Sequence, residues 1–147
     1  MGSRGPRPAD RPKHAPKAHS LMGVTYDSGA LIAAERNERR MWARHRAFLT
    51  NRVVPTVPAG VVAQTWKGGS RQAMLARLLV GCDIEPLDND QARKVGPLAT
   101  EAGTTDIVDT SVVEGALRRA DLVISSDRED LKAIAAAAGG SLRIEEP

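Results

Sequence analysis

Residues 104–127, TTDIVDTSVVEGALRRADLVISSD, decide the fold. Asp106 and Asp109 begin what reads as one helix, closed near Ala120, and Leu122, Val123 and Ile124 then form a short apolar run that ends abruptly at Asp127. A helix feeding a brief buried strand is one step of an alternating α/β chain. Acidic side chains stand both at the start of that helix and at the end of that strand. Carboxylates that converge must either repel one another or share a cation.

Working outward, the same alternation recurs. GVTYD (23–27) is a β-rich run ending in Asp27, followed by helical SGALIAAERN (28–37). In ERRMWARHRAFLTN (38–51), Met41, Trp42, His45, Phe48 and Leu49 share one face of an amphipathic helix. RVVPTVP reads as a strand, AGVVAQTW as a helix stopped by Lys67-Gly68-Gly69, SRQAMLARLLVG as a helix and CDIEPL as a strand. Residues 88–103 form a helix that Pro97 is expected to kink or break. After the opening stretch come the helix DREDLKAIAAAAGG and a last strand, SLRIEE. Five short strands alternating with helices predict an α/β domain with a mostly parallel five-stranded sheet flanked by helices on both faces. In such sheets functional groups gather at the carboxyl ends of the strands, at a topological switch point.

At 147 residues the chain suits one core, and 3% aromatic residues leave aliphatic side chains to fill it. No apolar run is long enough for a membrane span, and the first twenty residues lack a secretory signal, so a cytoplasmic protein is expected. Cys82, a lone cysteine, makes no intrachain disulfide and reads as a small buried hydrophobe. The net charge of +3 belongs to residues 1–20, where Arg4, Arg7, Arg11, Lys13 and Lys17 face only Asp10. With Pro6, Pro8, Pro12 and Pro16 and little to bury, that stretch reads as a disordered tail, and residues 21–147 as the domain.

Asp27 follows the first strand, Asp127 the fourth, and Asp106 and Asp109 begin the helix leading into the fourth. Each has a plain alternative as a helix cap, and Ser126 and Glu129 have capping-box spacing. Together they point to a metal: residues three apart share a helix face, and crowded carboxylates suit a hard divalent cation such as Mg²⁺ or Mn²⁺. Asp130 is a further acid nearby. Such a centre fits phosphodiester hydrolysis. Other chemistries lack parts. His14 and His19 fall in the tail and His45 on the amphipathic helix, so no zinc cluster is legible. There is no Walker-type phosphate loop, and Ser28, Ser125 and Ser126 have no histidine partner.

VTYDSGALIAAE (24–35) and DTSVVEGALRRADLVISSDREDL (109–131) resemble the PIN-domain family, in particular ribonucleases of the VapC toxin type. In the second stretch the signature is an acid at a helix start, a helix, a hydrophobic strand and a Ser/Thr-x-Asp turn. The resemblance matches Asp27, Asp109 and Asp127 to catalytic, metal-holding acids and Gln64 to a position lining the site; by their places in the sequence Asp106 is expected to assist at the metal and Asp130 to line the site. It implies a PIN fold, Mg²⁺ or Mn²⁺, RNA as substrate and a cognate antitoxin, with a homodimer a further expected assembly. One position departs: Gln64 stands where the family has Glu. A glutamine adds no charge and cannot act as a carboxylate base, whereas Asp106, one turn before Asp109, could restore charge. Glu35 lies ~12 Å along its helix from Asp27, too far to substitute. RNA contact is expected from Arg36, Arg40, Lys67 and Arg71, with Arg39, Arg44, Arg118 and Arg119. Phosphate contact is favoured over base stacking, because no aromatic platform is evident among these residues. The expected function is a metal-dependent endoribonuclease, the toxin of a toxin–antitoxin pair; the alternative is a weakened PIN module that binds RNA or protein without cutting.

Overall fold

Five three-residue strands form the sheet in the computed structural model, which describes residues 22–147; the expected tail lies outside the described residues. In chain order the elements are β1 (Val24–Tyr26), α1 (Ser28–Glu35), α2 (Arg39–Thr50), β2 (Thr56–Pro58), α3 (Ala59–Thr65), α4 (Ala73–Val80), β3 (Asp83–Glu85), α5 (Asn89–Ala102), α6 (Ile107–Arg119), β4 (Leu122–Ile124), α7 (Arg128–Ala137) and β5 (Arg143–Glu145). A 3₁₀ turn, Ser70–Gln72, leads into α4. The strand order is β3-β2-β1-β4-β5 and every pair is parallel. No described helix is long and apolar enough to cross a membrane.

Central strands β1 and β4 are buried along their whole length, as short apolar runs covered on both faces must be. The chain leaves β1 toward β2 and β3, then crosses back so that β4 pairs with the other side of β1. That reversal places the switch point between the carboxyl ends of β1 and β4, where Asp27 and Ser125 follow directly. Tyr26, Leu31, Met41, Val57, Leu75, Leu78, Val112, Ile124 and Leu131 fill the core around them. His45, also buried, sits 2.8 Å from the Tyr26 hydroxyl, and burial lowers its pKa, so it is a packed core residue. Cys82 is half-buried just before β3, its Sγ on the Leu78 carbonyl.

Polar side chains hold the far end of α6. Arg119 pairs with Asp121 (2.8 Å) and Glu85 (2.9 Å), Arg118 with Glu85 and Glu114, and Thr25 on β1 donates to Asp121 at 2.7 Å. Burial raises the Glu85 carboxyl's proton affinity, but hydrogen bonds from Arg118 and Arg119 outweigh it and hold the pKa below the usual range. This network ties α6 to β1 and β3 and so fixes where the opposite end of the helix, with its acids, must lie.

Pro97 sits inside a helix that runs unbroken from Asn89 to Ala102, so the break that the sequence allowed does not occur. The residue is exposed, so the carbonyl that loses its partner can bond to water, and both helix ends are secured: Asp88 accepts from the Gln91 amide and Gly103 closes the helix in the left-handed region.

At the end of α6, Ala120 takes the same left-handed turn with φ 59° and ψ 44°, although a Cβ is disfavoured there by ~1–2 kcal/mol. Ala120→Gly relieves that strain and loses part of the gain to a more flexible unfolded chain. A net stabilisation of ~0.5–1 kcal/mol is expected, visible as a raised urea midpoint with unchanged m-value. A lowered midpoint would contradict the assigned turn.

Candidate metal centre

Asp27, Asp109 and Asp127 offer carboxylate oxygens that all lie within 4.8 Å of one another. Three separate segments supply them: the β1–α1 junction, the first turn of α6 and the β4–α7 junction. Asp27 is 2% exposed, while the other two are half-buried. Asp27 and Asp127 occupy the N-cap positions of α1 and α7, yet neither side chain accepts a capping hydrogen bond. The expected Ser126–Glu129 capping box is not formed either, since Asp127 is the N-cap residue and α7 has no side-chain cap. The ordinary reason for Asp at a helix start is therefore missing at both positions.

Ser125 is the residue that sequence reading undervalued. Its buried hydroxyl donates to Asp27 Oδ2 at 2.7 Å and accepts the Asp127 amide N–H at 2.9 Å, joining two of the acid-bearing junctions. The signal was the first position of the Ser/Thr-x-Asp turn; testing that serine only as a nucleophile passed over its positioning role. Gly29 completes the join. A Cβ there would lie 3.1 Å from the Ser126 amide nitrogen, so the start of α1 approaches the β4–α7 turn more closely than a larger residue allows.

Electrostatics mark the cluster as a place of mutual repulsion. Burial, and after it the charges of Asp106, Asp27 and Asp127, push the Asp109 carboxyl from 3.8 up to about 7. Asp127 is raised as well, first by burial and then by Asp130 and Asp27, with a hydrogen bond from Asp109 opposing the shift. Three converging hard oxygen donors, with Asp109 and Asp127 held above the usual carboxylate range, are a donor set suited to a divalent cation such as Mg²⁺ or Mn²⁺.

The other predicted residues divide. Asp106 is the N-cap of α6, accepting the Asp109 amide at 2.9 Å, and is outside the trio, acting on Asp109 through its charge. Asp130 is exposed and raises Asp127. Gln64 is exposed on α3, one turn after Gly60, whose Cα packs against Val108 in the first turn of α6. Residues four apart share a face, so Gln64 lies on the flank of α3 that faces the turn carrying Asp109. Glu35 accepts the Gln72 amide at 2.9 Å, a structural role. Arg36, Arg40, Lys67 and Arg71 are all exposed; Arg36, at the end of α1 away from Asp27, lines with Gly29, Ile32, Glu38, Ser126 and Glu146 a cleft of about 400 Å³. Three expected RNA contacts are corrected: Arg44 pairs with Glu145 at 2.6 Å, and Arg118 and Arg119 belong to the network at the far end of α6.

No family model matches the sequence, and no curated protein matches it. Solved structures do share its fold. VapBC2 from Rickettsia felis, bound to a DNA fragment from their promoter, has a TM-score of 0.65 at 15% identity over 86% of this chain and 99% of that one. PAE2754 from Pyrobaculum aerophilum has a TM-score of 0.54 at 18% identity, over 87% and 92% of the two chains. FitAB bound to an IR36 DNA fragment has 0.53 at 14%, over 84% and 94%. At these identities the likeness is one of fold, and the fold is the PIN-type fold that the sequence motifs led one to expect.

The raised Asp109 pKa makes a pH prediction. Because the folded value exceeds the unfolded one, the folded state binds the extra proton between the ordinary carboxylate range and about pH 7. In metal-free protein stability must fall as pH rises through that window. Melts in EDTA at about pH 5 and about pH 8 should show a larger loss for wild type than for Asp109→Asn. Equal losses would mean that the acids do not interact as their positions require.

Proposed function

Starting from a PIN-type fold with three carboxylates converging at its switch point, we propose a cytoplasmic, metal-dependent endoribonuclease, the toxin of a toxin–antitoxin pair. The observation that carries the proposal is that Asp27 and Asp127 hold helix N-cap positions without capping, and turn their carboxylates to Asp109 instead. Asp27, Asp109 and Asp127 would hold Mg²⁺ or Mn²⁺, which when bound lowers the pKa of water and neutralises charge building on phosphorus. Ser125 fixes the Asp27 oxygen, so one ligand is oriented before any cation arrives. Asp109 gives up its proton as the cation binds, which makes affinity rise with pH up to about 7. Exposed Arg36, Arg40, Lys67 and Arg71 would contact the phosphate backbone. Two of the structures sharing the fold are named as pairs, VapBC2 and FitAB, which supports an antitoxin as the partner of this chain.

A second reading has its own observation. Gln64 brings no charge where the family has Glu, which favours a weakened module that binds RNA or a protein without cutting. Both readings meet in one experiment. Mn²⁺ titration by calorimetry should show binding to wild type and at least ~10-fold weaker binding to Asp27→Asn and Asp109→Asn, a loss of ~1.4 kcal/mol or more per variant. Cleavage of single-stranded RNA should follow the same order, and Gln64→Glu should raise both. Wild-type Mn²⁺ affinity in both Asn variants would refute the metal centre; ion binding without cleavage, rescued by Gln64→Glu, would select the weakened module.

A further inference from the structure

Helices α2 and α4 enclose a second cleft, of about 340 Å³, lined by Asn37, Arg39, Trp42, Arg46, Met74 and Arg77. The spacing explains it: Arg39, Trp42 and Arg46 recur at three and four residues along α2, and Met74 and Arg77 at three along α4, so two helix faces meet across the gap. The Arg77 guanidinium lies over the Trp42 ring, 5.8 Å from its centroid, and the indole N–H donates to the Ala34 carbonyl at 3.0 Å, which fixes the ring. Among the described residues no acid lines the cleft. Outside the cleft Arg44, Arg118 and Arg119 each meet a carboxylate, while exposed Arg36, Arg40 and Arg71 meet none among the described residues. Among the described residues Arg39, Arg46 and Arg77 meet none. Since acids and bases nearly balance over residues 22–147, three unpaired guanidinium groups in one cleft are a local segregation of charge, not a general excess.

We propose that this cleft is a second binding site for single-stranded RNA, where Arg39, Arg46 and Arg77 take backbone phosphates and Trp42 with Arg77 forms a planar ledge. The proposal rests on the RNA reading above and extends it. Guanidinium forks match phosphate oxygens two at a time, and Arg39 and Arg46 stand ~10 Å apart along α2, a spacing that a flexible chain of regularly placed anions can meet. A protein segment would need apolar area to bury, and here Trp42 and Met74 are already half-buried, with Arg77 over the Trp42 ring. Asn37 lies past the far end of α1, whose start carries Asp27, so the cleft begins ~12 Å along that helix from the acids, within reach of one strand. The expectation that no aromatic residue accompanies the basic ones is corrected, because tertiary packing brings Trp42 to Arg77 across 35 positions of sequence.

The test uses the full chain in EDTA, which stops metal-dependent cutting, with a fluorescein-labelled RNA of about 20 nucleotides and mixed sequence titrated between about 50 and 200 mM salt. Arg39→Gln/Arg46→Gln/Arg77→Gln should bind at least ~10-fold more weakly, and its slope of log affinity on log salt should flatten by ~2, about 0.7 for each of three phosphates released. Should the triple variant fail to fold, exposed Arg46→Gln alone should flatten the slope by ~0.7. Lys132→Gln, exposed on α7 and lining neither cleft, should bind this RNA as wild type does, which separates the cleft from general surface charge. A slope unchanged by the arginine substitutions, or wild-type protein that does not bind the RNA, overturns the proposal. So does retained RNA binding together with lost binding of polyglutamate, which would make the cleft a docking surface for an acidic protein segment. Salt-dependent RNA binding through these arginines in a protein that never cleaves would leave the cleft standing and refute the nuclease.

Discussion

Parallel pairing of β1 with β4 is the constraint on which everything else in this protein depends. The rungs Val24↔Leu122, Thr25↔Val123 and Tyr26↔Ile124 end together, and the Asp27 amide then bonds the Ile124 carbonyl. Residues nearly a hundred positions apart leave the sheet side by side, so the Ser125 hydroxyl reaches Asp27 without any loop having to close over it. A register slip of one residue would send Asp27 to the opposite face and dissolve the centre. Pairing and chemistry are thus one geometric fact.

Among the described residues four aspartates begin helices, and they fall into two kinds. Asp88 and Asp106 accept amides of their own first turns, at 2.9 Å each, and stabilise α5 and α6 in the ordinary way. Asp27 and Asp127 leave that role unfilled and bring negative charge toward Asp109, which costs stability in the absence of a cation. The fold offsets this at the other end of α6, where Arg118, Arg119, Glu85, Glu114, Asp121 and Thr25 satisfy one another, and in a core in which β1 and β4 are wholly buried. Repulsion is concentrated at the switch point because the remainder of the helix is held firmly enough to bear it.

Much of this was legible in the residues. Short apolar runs separated by helical periods correspond to the five strands and their helices, and the motif around 109–131 led to the PIN-type fold that the solved structures share. Gathering of acids at strand ends follows from α/β topology, which brought Asp27, Asp106, Asp109 and Asp127 to one sheet edge, and the resemblance to the PIN family singled out Asp27, Asp109 and Asp127 among them. Pro97 misled because a local rule about a missing N–H does not say whether the freed carbonyl faces water.

Sequence by itself determined the order of elements and which carboxylates could meet, because hydrophobic period and capping chemistry act over a few residues. Only the tertiary structure decided which acids are caps and which are not, that Ser125 ties Asp27 to the Asp127 turn, that Arg44, Arg118 and Arg119 are already paired, and that Trp42 lies beneath Arg77. Apart from the caps, each of these rests on a contact between residues far apart in the chain. The free energy of a hydrogen bond or ion pair depends on distance in space, and the chain's local preferences carry no record of it until the strands have paired.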